Sequence, residues 1–381
     1  MTHKILFIIS ALKGGGAERI MLTLINNINR GQFKPLLVLF DDNISAYKED
    51  IPDYLPIRVL KKDNRLDNFR LIKSLSQLIQ HEKPCVAYSL LNYTNVITIL
   101  SNQKAGANIP VILSQHTFIE KELQESRQSF LKKIFDKNII RYTYSKATLI
   151  HCVSKGLKIN LVKDFNIPPE KIRVIYNSLD LKRIISLAKE EVEHPWFQED
   201  VPILLACGRL QVEKNYPLLF RSLRHVQKTI PVRLVILGEG QEREGLENYA
   251  KDLGIVNNVD FLGFQKNPFK FMARGMALVL SSSWEAFGMV IIEAMACGLP
   301  VISTRCPFGP EEIINHGVNG LLVPVEDEHK LAEAILALLK EEELRKKLAE
   351  GGQRRAQDFD VVKLIPQFEE MLLNLCQSPV Q

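Results

Sequence analysis

The chain is predicted to form an α/β protein of two doubly wound, Rossmann-like domains, each a mainly parallel sheet wrapped by helices, facing one another across a cleft. Three observations predict this. Short apolar runs alternate with longer amphipathic ones through the first half, the pattern breaks at a charged stretch containing His194-Pro195 and then restarts, and the chemically unusual residues fall at the carboxyl ends of the apolar runs in both halves. At 381 residues the chain is too long for one ordinary core.

In the first half, strands are expected at Ile5–Ile9, Leu36–Phe40, Ile57–Leu60, Val86–Leu90, Val111–Leu113, Leu149–Val153 and Ile172–Tyr176. Helical patterns such as Phe69–Gln80 and Lys155–Phe165 fall between them, which makes residues 1–178 one domain. Residues 179–200 are charged and read as a linker. A second domain over 201–358 restarts the alternation at Ile203–Cys207, Val232–Leu237, Val259–Leu262, Ala277–Leu280, Val301–Ser303 and Leu321–Val323. Residues 359–381 hold a last helix near Val361–Leu375, expected to return to the first domain.

Composition narrows the partners. A formal net charge of +5 is too small to argue for nucleic acid. No apolar run is long enough to cross a bilayer, and Ile5–Leu12, followed by three glycines, reads as a strand and not a signal segment. The six cysteines are scattered without zinc-type spacing and read as reduced residues of a cytoplasmic protein. The lone Asp-x-Asp, Asp358-Phe359-Asp360, lies far from any strand end, with Asp360 placed to cap the last helix, so no cofactor and no required metal are expected.

The stretch Ser281–Gly298 organises the second half. From Phe287 it is almost unbroken apolar sequence ending at Cys297-Gly298-Leu299-Pro300, a helix stop, yet Glu293 sits in its middle and Glu285 just before its first turn. A buried carboxylate needs a partner. Either a core Arg or Lys meets Glu293, or a ligand rich in hydroxyls does, at a helix N-terminus that also attracts phosphate. Arg209 and Lys214 stand between a strand end and a helix start, placed for a diphosphate or else solvated beside a helix cap. Gly14-Gly15-Gly16 after the first strand would bring bare backbone amides to an anion or simply form a tight turn. A dinucleotide fingerprint is disfavoured, because Arg19 stands where it requires a third glycine.

Taken together, Gly15-Gly16-Ala17-Glu18-Arg19, Gly208-Arg209-Leu210 with Glu213-Lys214-Asn215, Gly238-Glu239-Gly240, Phe261-Leu262-Gly263 and the Glu285…Glu293 pair resemble the retaining family-4 glycosyltransferases of GT-B fold. The resemblance runs over nearly the whole chain and is strongest from Pro202 to Pro324. It implies a nucleotide-diphosphate sugar donor, Glu293 on the ribose hydroxyls, Arg209 and Lys214 on the diphosphate, and backbone groups of Phe287, Gly288, Met289 and Val290 against phosphate and sugar. Gly15, Gly16 and Gly238 would lie along the donor, Glu285 beside its sugar, and Gly263-Phe264 near the base. His116 matches a family histidine near the reacting carbon; alone, it would read as a satisfied surface or core residue.

One departure is the run Arg305-Cys306-Pro307-Phe308-Gly309-Pro310, where many relatives have a Gly-Gly turn. A similar run occurs in a branch acting on lipid-linked oligosaccharides, which implies a UDP-sugar donor, N-acetylhexosamine among the candidates, and a glycan or lipid-linked acceptor. Residues 118–146 mix Phe130, Leu131, Ile134, Phe135, Ile139 and Ile140 with Lys132, Lys133, Lys137, Arg141 and Lys146, which suits either an anionic membrane surface or a solvated helix face. The expectation is therefore a retaining, metal-independent enzyme of polysaccharide biosynthesis in the cytoplasm, with peripheral attachment to the inner membrane as a variant. The alternatives are a non-catalytic nucleotide-sugar-binding protein and a nicotinamide oxidoreductase.

Overall fold

A computed structural model describes residues 2–45, 47–61, 67–125 and 129–377. The chain divides into two compact units, Met1–Ser178 with Val361–Gln381, and Leu179–Asp360. The expected linker 179–200 belongs to the second unit, because it is not a bare connection: it forms a helix, Leu181–Leu187, capped by Asp180, and a turn of 3₁₀-helix, Pro195–Gln198.

The first unit holds strands β1 (His3–Ile9), β2 (Phe33–Leu39), β3 (Ile57–Val59), β4 (Val86–Leu90), β5 (Val111–Gln115), β6 (Leu149–Cys152) and β7 (Ile172–Val174) in the order β3-β2-β1-β4-β5-β6-β7. All are parallel; β4 and β5 are buried along their whole length, as strands covered by helices on both faces must be. The second unit holds β8 (Ile203–Cys207), β9 (Arg233–Leu237), β10 (Val259–Gly263), β11 (Ala277–Leu280), β12 (Val301–Thr304) and β13 (Leu321–Val323), again all parallel, in the order β10-β9-β8-β11-β12-β13. Every strand expected from the apolar runs is present.

Both sheets reverse strand order beside their first strand, at β1/β4 and at β8/β11. A doubly wound sheet leaves a crevice at such a point, beyond the carboxyl ends of its strands, because the flanking helices go to opposite faces. The last helix, Val361–Gln377, packs on the first unit, its Phe368 ring lying 5.1 Å from that of Tyr88 on β4 and 6.4 Å from that of Phe7 on β1.

Candidate active site

In the second unit the switch point between β8 and β11 gathers the residues singled out in sequence. The loop after β8 carries Arg209 and Lys214, and the loop after β11 carries Ser281 to Glu285. Backbone and hydroxyl contacts lock the two loops together: Ser281 Oγ donates to the Lys214 carbonyl oxygen at 2.8 Å, and the Ser283 amide to that of Glu213 at 2.8 Å. Lys214 Nζ then donates to Glu285 Oε1 at 2.6 Å, with Ser282 Oγ donating to the same oxygen at 2.7 Å. The Lys214 and Glu285 side chains are only 16% and 10% exposed. Of the two acids flagged in the sequence, it is Glu285 whose carboxylate this lysine meets.

Glu293 is 2% exposed on the short helix Met289–Ala296. Burial, with this carboxylate nearby, pushes the Cys297 thiol up to about 12. That helix begins at Gly288, whose φ of 93° an L side chain rarely adopts, and its first amides, Met289 and Val290, have no intrahelical acceptor. The run Cys306–Pro310 lies against the same loop: Phe308 forms a backbone bridge with Glu285, and Thr304 Oγ1 donates to the Ser282 carbonyl oxygen at 2.6 Å. At the end of β9, a Cβ on Gly238 would lie 1.9 Å from the Gly208 carbonyl oxygen, so that approach of two loops requires glycine. The Arg209 side chain is 67% exposed and lies 3.9 Å from the Glu213 carboxylate. Gly263 ends β10, with Phe264 beside it 49% exposed.

In the first unit the amides expected to be bare after β1 are engaged. Gly14 and Gly15 donate to Glu18 Oε2 at 2.7 and 3.0 Å, so the chain's own carboxylate occupies the anion position at the start of helix Gly16–Asn27. Gly16 itself begins that helix with open space where a Cβ would stand. His116 immediately follows β5, and its Nε2 lies 2.8 Å from Ser114 Oγ. In the Asp-x-Asp run, Asp358 pairs with Arg355 at 3.1 Å, and Asp360 directly precedes the last helix.

Residues 14–183 match the family Glycosyltransferase Family 4, and residues 189–355 match Glycosyl transferases group 1. An enzyme of Campylobacter jejuni, N-acetylgalactosamine-N,N'-diacetylbacillosaminyl-diphospho-undecaprenol 4-alpha-N-acetylgalactosaminyltransferase, is 30% identical over 95% of this chain and 97% of its own. The chain is a family-4 glycosyltransferase of GT-B fold. A second Campylobacter jejuni enzyme, GalNAc-alpha-(1->4)-GalNAc-alpha-(1->3)-diNAcBac-PP-undecaprenol alpha-1,4-N-acetyl-D-galactosaminyltransferase, is 27% identical over 94% of this chain and 95% of its own. For the fold, the crystal structure of Anabaena HepE in complex with UDP-glucose superposes with a TM-score of 0.82 at 24% identity, covering 98% of this chain and 100% of that one. The oxidoreductase alternative falls with this assignment.

The environment of His116 in this glycosyltransferase was not foreseen from sequence. Parallel register sets Ser114 on β5 directly beside His151 on β6, and Tyr88 on β4 reaches both. His151 Nε2 lies 2.8 Å from the Ile175 carbonyl oxygen, which only accepts, so Nε2 carries the proton. Burial pulls the His151 pKa down to about 4, so the ring is neutral and Nδ1 holds a lone pair. Only one assignment fills all three contacts of Ser114. It donates to His151 Nδ1 at 3.0 Å and accepts from the Tyr88 hydroxyl at 2.8 Å and from His116 Nε2–H. His116 is thereby fixed as the tautomer with its lone pair on Nδ1, and burial, with His151 alongside, pulls its pKa down to about 3. A second buried group, Asn95 with Ser89 and Tyr144, fastens the neighbouring helix Asn92–Ala105 to the ends of β4 and β5. Individual polar residues in apolar runs were the available signal for both groups, but only register brings them together.

Proposed function

We propose that this glycosyltransferase moves a sugar from a UDP-sugar, with retention of anomeric configuration, to a glycan carried on a polyprenyl diphosphate. The observation that carries the reading is the buried Lys214 ammonium at the β8/β11 switch point, paired with a Glu285 carboxylate that Ser282 in turn fixes. When the bond between sugar and diphosphate breaks, negative charge builds on the departing phosphate. A preorganised cation in a site poor in water stabilises it, and removing one such donor costs about 2.7–4 kcal/mol of barrier. Arg209, exposed on the same loop, adds a planar fork for the same phosphates, so the positive charge comes from side chains and no metal is required.

Glu293, buried in the middle of the Met289–Ala296 helix, accepts from the ribose hydroxyls, and the Met289 and Val290 amides meet phosphate or sugar. Gly238 lets the donor approach the backbone, and the Gly263-Phe264 turn lies against the base. His116 Nδ1 offers an acceptor to a sugar hydroxyl. The acceptor hydroxyl attacks from the face the diphosphate leaves, and its proton passes to a phosphate oxygen. UDP is supported by the UDP and UDP-glucose complexes of the Anabaena protein, and an undecaprenyl-diphosphate glycan by the names of both Campylobacter relatives. With Gly14 and Gly15 already bound to Glu18, we assign the glycine loop of the first unit to shaping that unit's crevice.

No helix among the described residues is long and apolar enough to cross a membrane. The helix Phe130–Lys146 exposes Ile134, Phe135 and Tyr142 beside Lys132, Arg141 and Lys146, the pairing of apolar and basic groups that binds anionic lipid. Of the other residues expected on that face, the side chains of Phe130 and Leu131 lie outside the described ones, Lys133 and Ile139 are half-buried, Ile140 is buried and Lys137 pairs with Glu120 at 2.9 Å. We therefore place the acceptor at a membrane surface. The test is a panel of UDP-sugars scored for transfer to undecaprenyl-diphosphate saccharides, with the product's anomeric configuration read by NMR. Hydrolysis and transfer both absent across the panel, with UDP still binding, would leave a nucleotide-sugar-binding protein instead.

A further inference from the structure

At the opposite, amino-terminal ends of the strands in the first unit, three side chains far apart in sequence converge. His3 begins β1; Cys85 directly precedes β4, its amide donating to the Lys4 carbonyl oxygen at 2.8 Å; and Cys376 lies in the last turn of the helix Val361–Gln377. Their ligand atoms all lie within 4.8 Å of one another, and Cys85 Sγ is 3.5 Å from His3 Nδ1. We propose that His3 Nδ1, Cys85 Sγ and Cys376 Sγ bind one zinc-class divalent ion, with solvent completing a tetrahedral shell.

The distances carry the argument. With Zn–S near 2.3 Å and Zn–N near 2.0–2.1 Å, the edge of a tetrahedral site between sulfur and nitrogen is about 3.5 Å. The Cys85–His3 pair already stands at that edge length, before any ion pulls it together. All three residues are half-buried, which keeps their rotamers restricted while leaving an approach for the ion and its water. Two thiolates and an imidazole form a borderline-soft set that selects zinc over magnesium or calcium. Binding converts two thiols to thiolates and so releases two protons per ion. The second cluster of this kind, His225, Glu328 and His329, differs in a decisive way: Arg221 already holds the Glu328 carboxylate, and a dication would have to expel it.

The site sits away from the crevice and joins the C-terminal helix to the sheet, so its role is to hold that helix, independently of the donor reading. The test uses the tag-free, metal-stripped chain titrated with Co²⁺. One equivalent should produce a thiolate-to-cobalt charge-transfer band that Zn²⁺ abolishes, and saturating Zn²⁺ should raise the melting temperature. Cys85→Ser and Cys376→Ser should each lose the band, and His3→Ala should weaken binding. No band in the wild-type chain, or a band that survives Cys376→Ser, would overturn the proposal. So would a Cys85–Cys376 disulfide in the chain as isolated, seen as a mass two hydrogens lighter and as a linked peptide pair.

Discussion

Replacing Lys214 by methionine separates two consequences of one ion pair. Lys214 and Glu285 meet at 2.6 Å with side chains 16% and 10% exposed, so Lys214→Met leaves a buried carboxylate facing a single Ser282 hydroxyl. Breaking a buried pair by removing one partner costs about 3–5 kcal/mol. For a unit of the size of Leu179–Asp360, at roughly 2–4 °C per kcal/mol, the melting temperature should fall by roughly 6–20 °C. The double variant Lys214→Met/Glu285→Gln removes both charges and keeps an acceptor for Ser282, so most of the stability should return. Activity should not: both variants lose the cation proposed to face the leaving diphosphate, and turnover at saturating donor should fall by ~100–1,000-fold. Denaturant titration and a transfer assay on the same preparations measure the two effects. If the double variant recovered turnover along with stability, Lys214 would be a core residue and the diphosphate role would be wrong.

Glu293→Gln should weaken UDP-sugar affinity by roughly tenfold, one charged hydrogen bond's worth, with little change in turnover at saturation; unchanged affinity by calorimetry would remove the ribose role. Gly238→Ala should leave the second unit unfolded or unable to bind donor, since the new Cβ would stand 1.9 Å from the Gly208 carbonyl oxygen; a stable, active variant would contradict the loop geometry. His151 has its pKa pulled from the usual 6.5 down to about 4, so its contribution is fully present above pH 6.5 and is lost as pH falls toward 4. His151 alone gives a slope of up to ~1.4 kcal/mol per pH unit in that window and His116, pulled down to about 3, adds to it with the same sign, so first-unit stability that stays flat between those values would exclude neutral buried rings at both positions. Phe135→Asp should reduce sedimentation with phosphatidylglycerol vesicles while leaving transfer to a water-soluble acceptor analogue intact.

The fold was legible because a strand covered on both faces must be a continuous apolar run, and such runs as Ile5–Ile9 and Ala277–Leu280 have few other readings. The Lys214 and Glu285 loops were legible for a related reason: polar residues bunched directly after such runs mark strand ends. Partner choice was not. Sequence marked Glu293 as an acid that needs a partner and placed Lys214 for a diphosphate, but not the pairing of Lys214 with Glu285, which the loop contacts of Ser281 and Ser283 bring about. Glu18 stands at the capping-box position, yet glycines alone suggested open amides, and the cap appears only once the helix start is fixed at Gly16. Tyr88, Ser114 and His151 lie on three strands, and Cys85 and Cys376 at distant points of the chain. Contacts of that kind depend on register and on where the last helix lands, neither of which local pattern encodes.

The discontinuity of the first unit has a consequence for biosynthesis. Phe368 closes over Phe7 and Tyr88, but everything from Leu179 to Asp360 is made between the sheet and that lid. At ~5–20 residues per second, the nascent sheet waits on the order of 10–40 s with that greasy face uncovered. The first unit can close only once Val361–Gln377 has been made and has left the ribosome, so for the whole of that interval its sheet must be shielded by chaperones or persist without its covering helix.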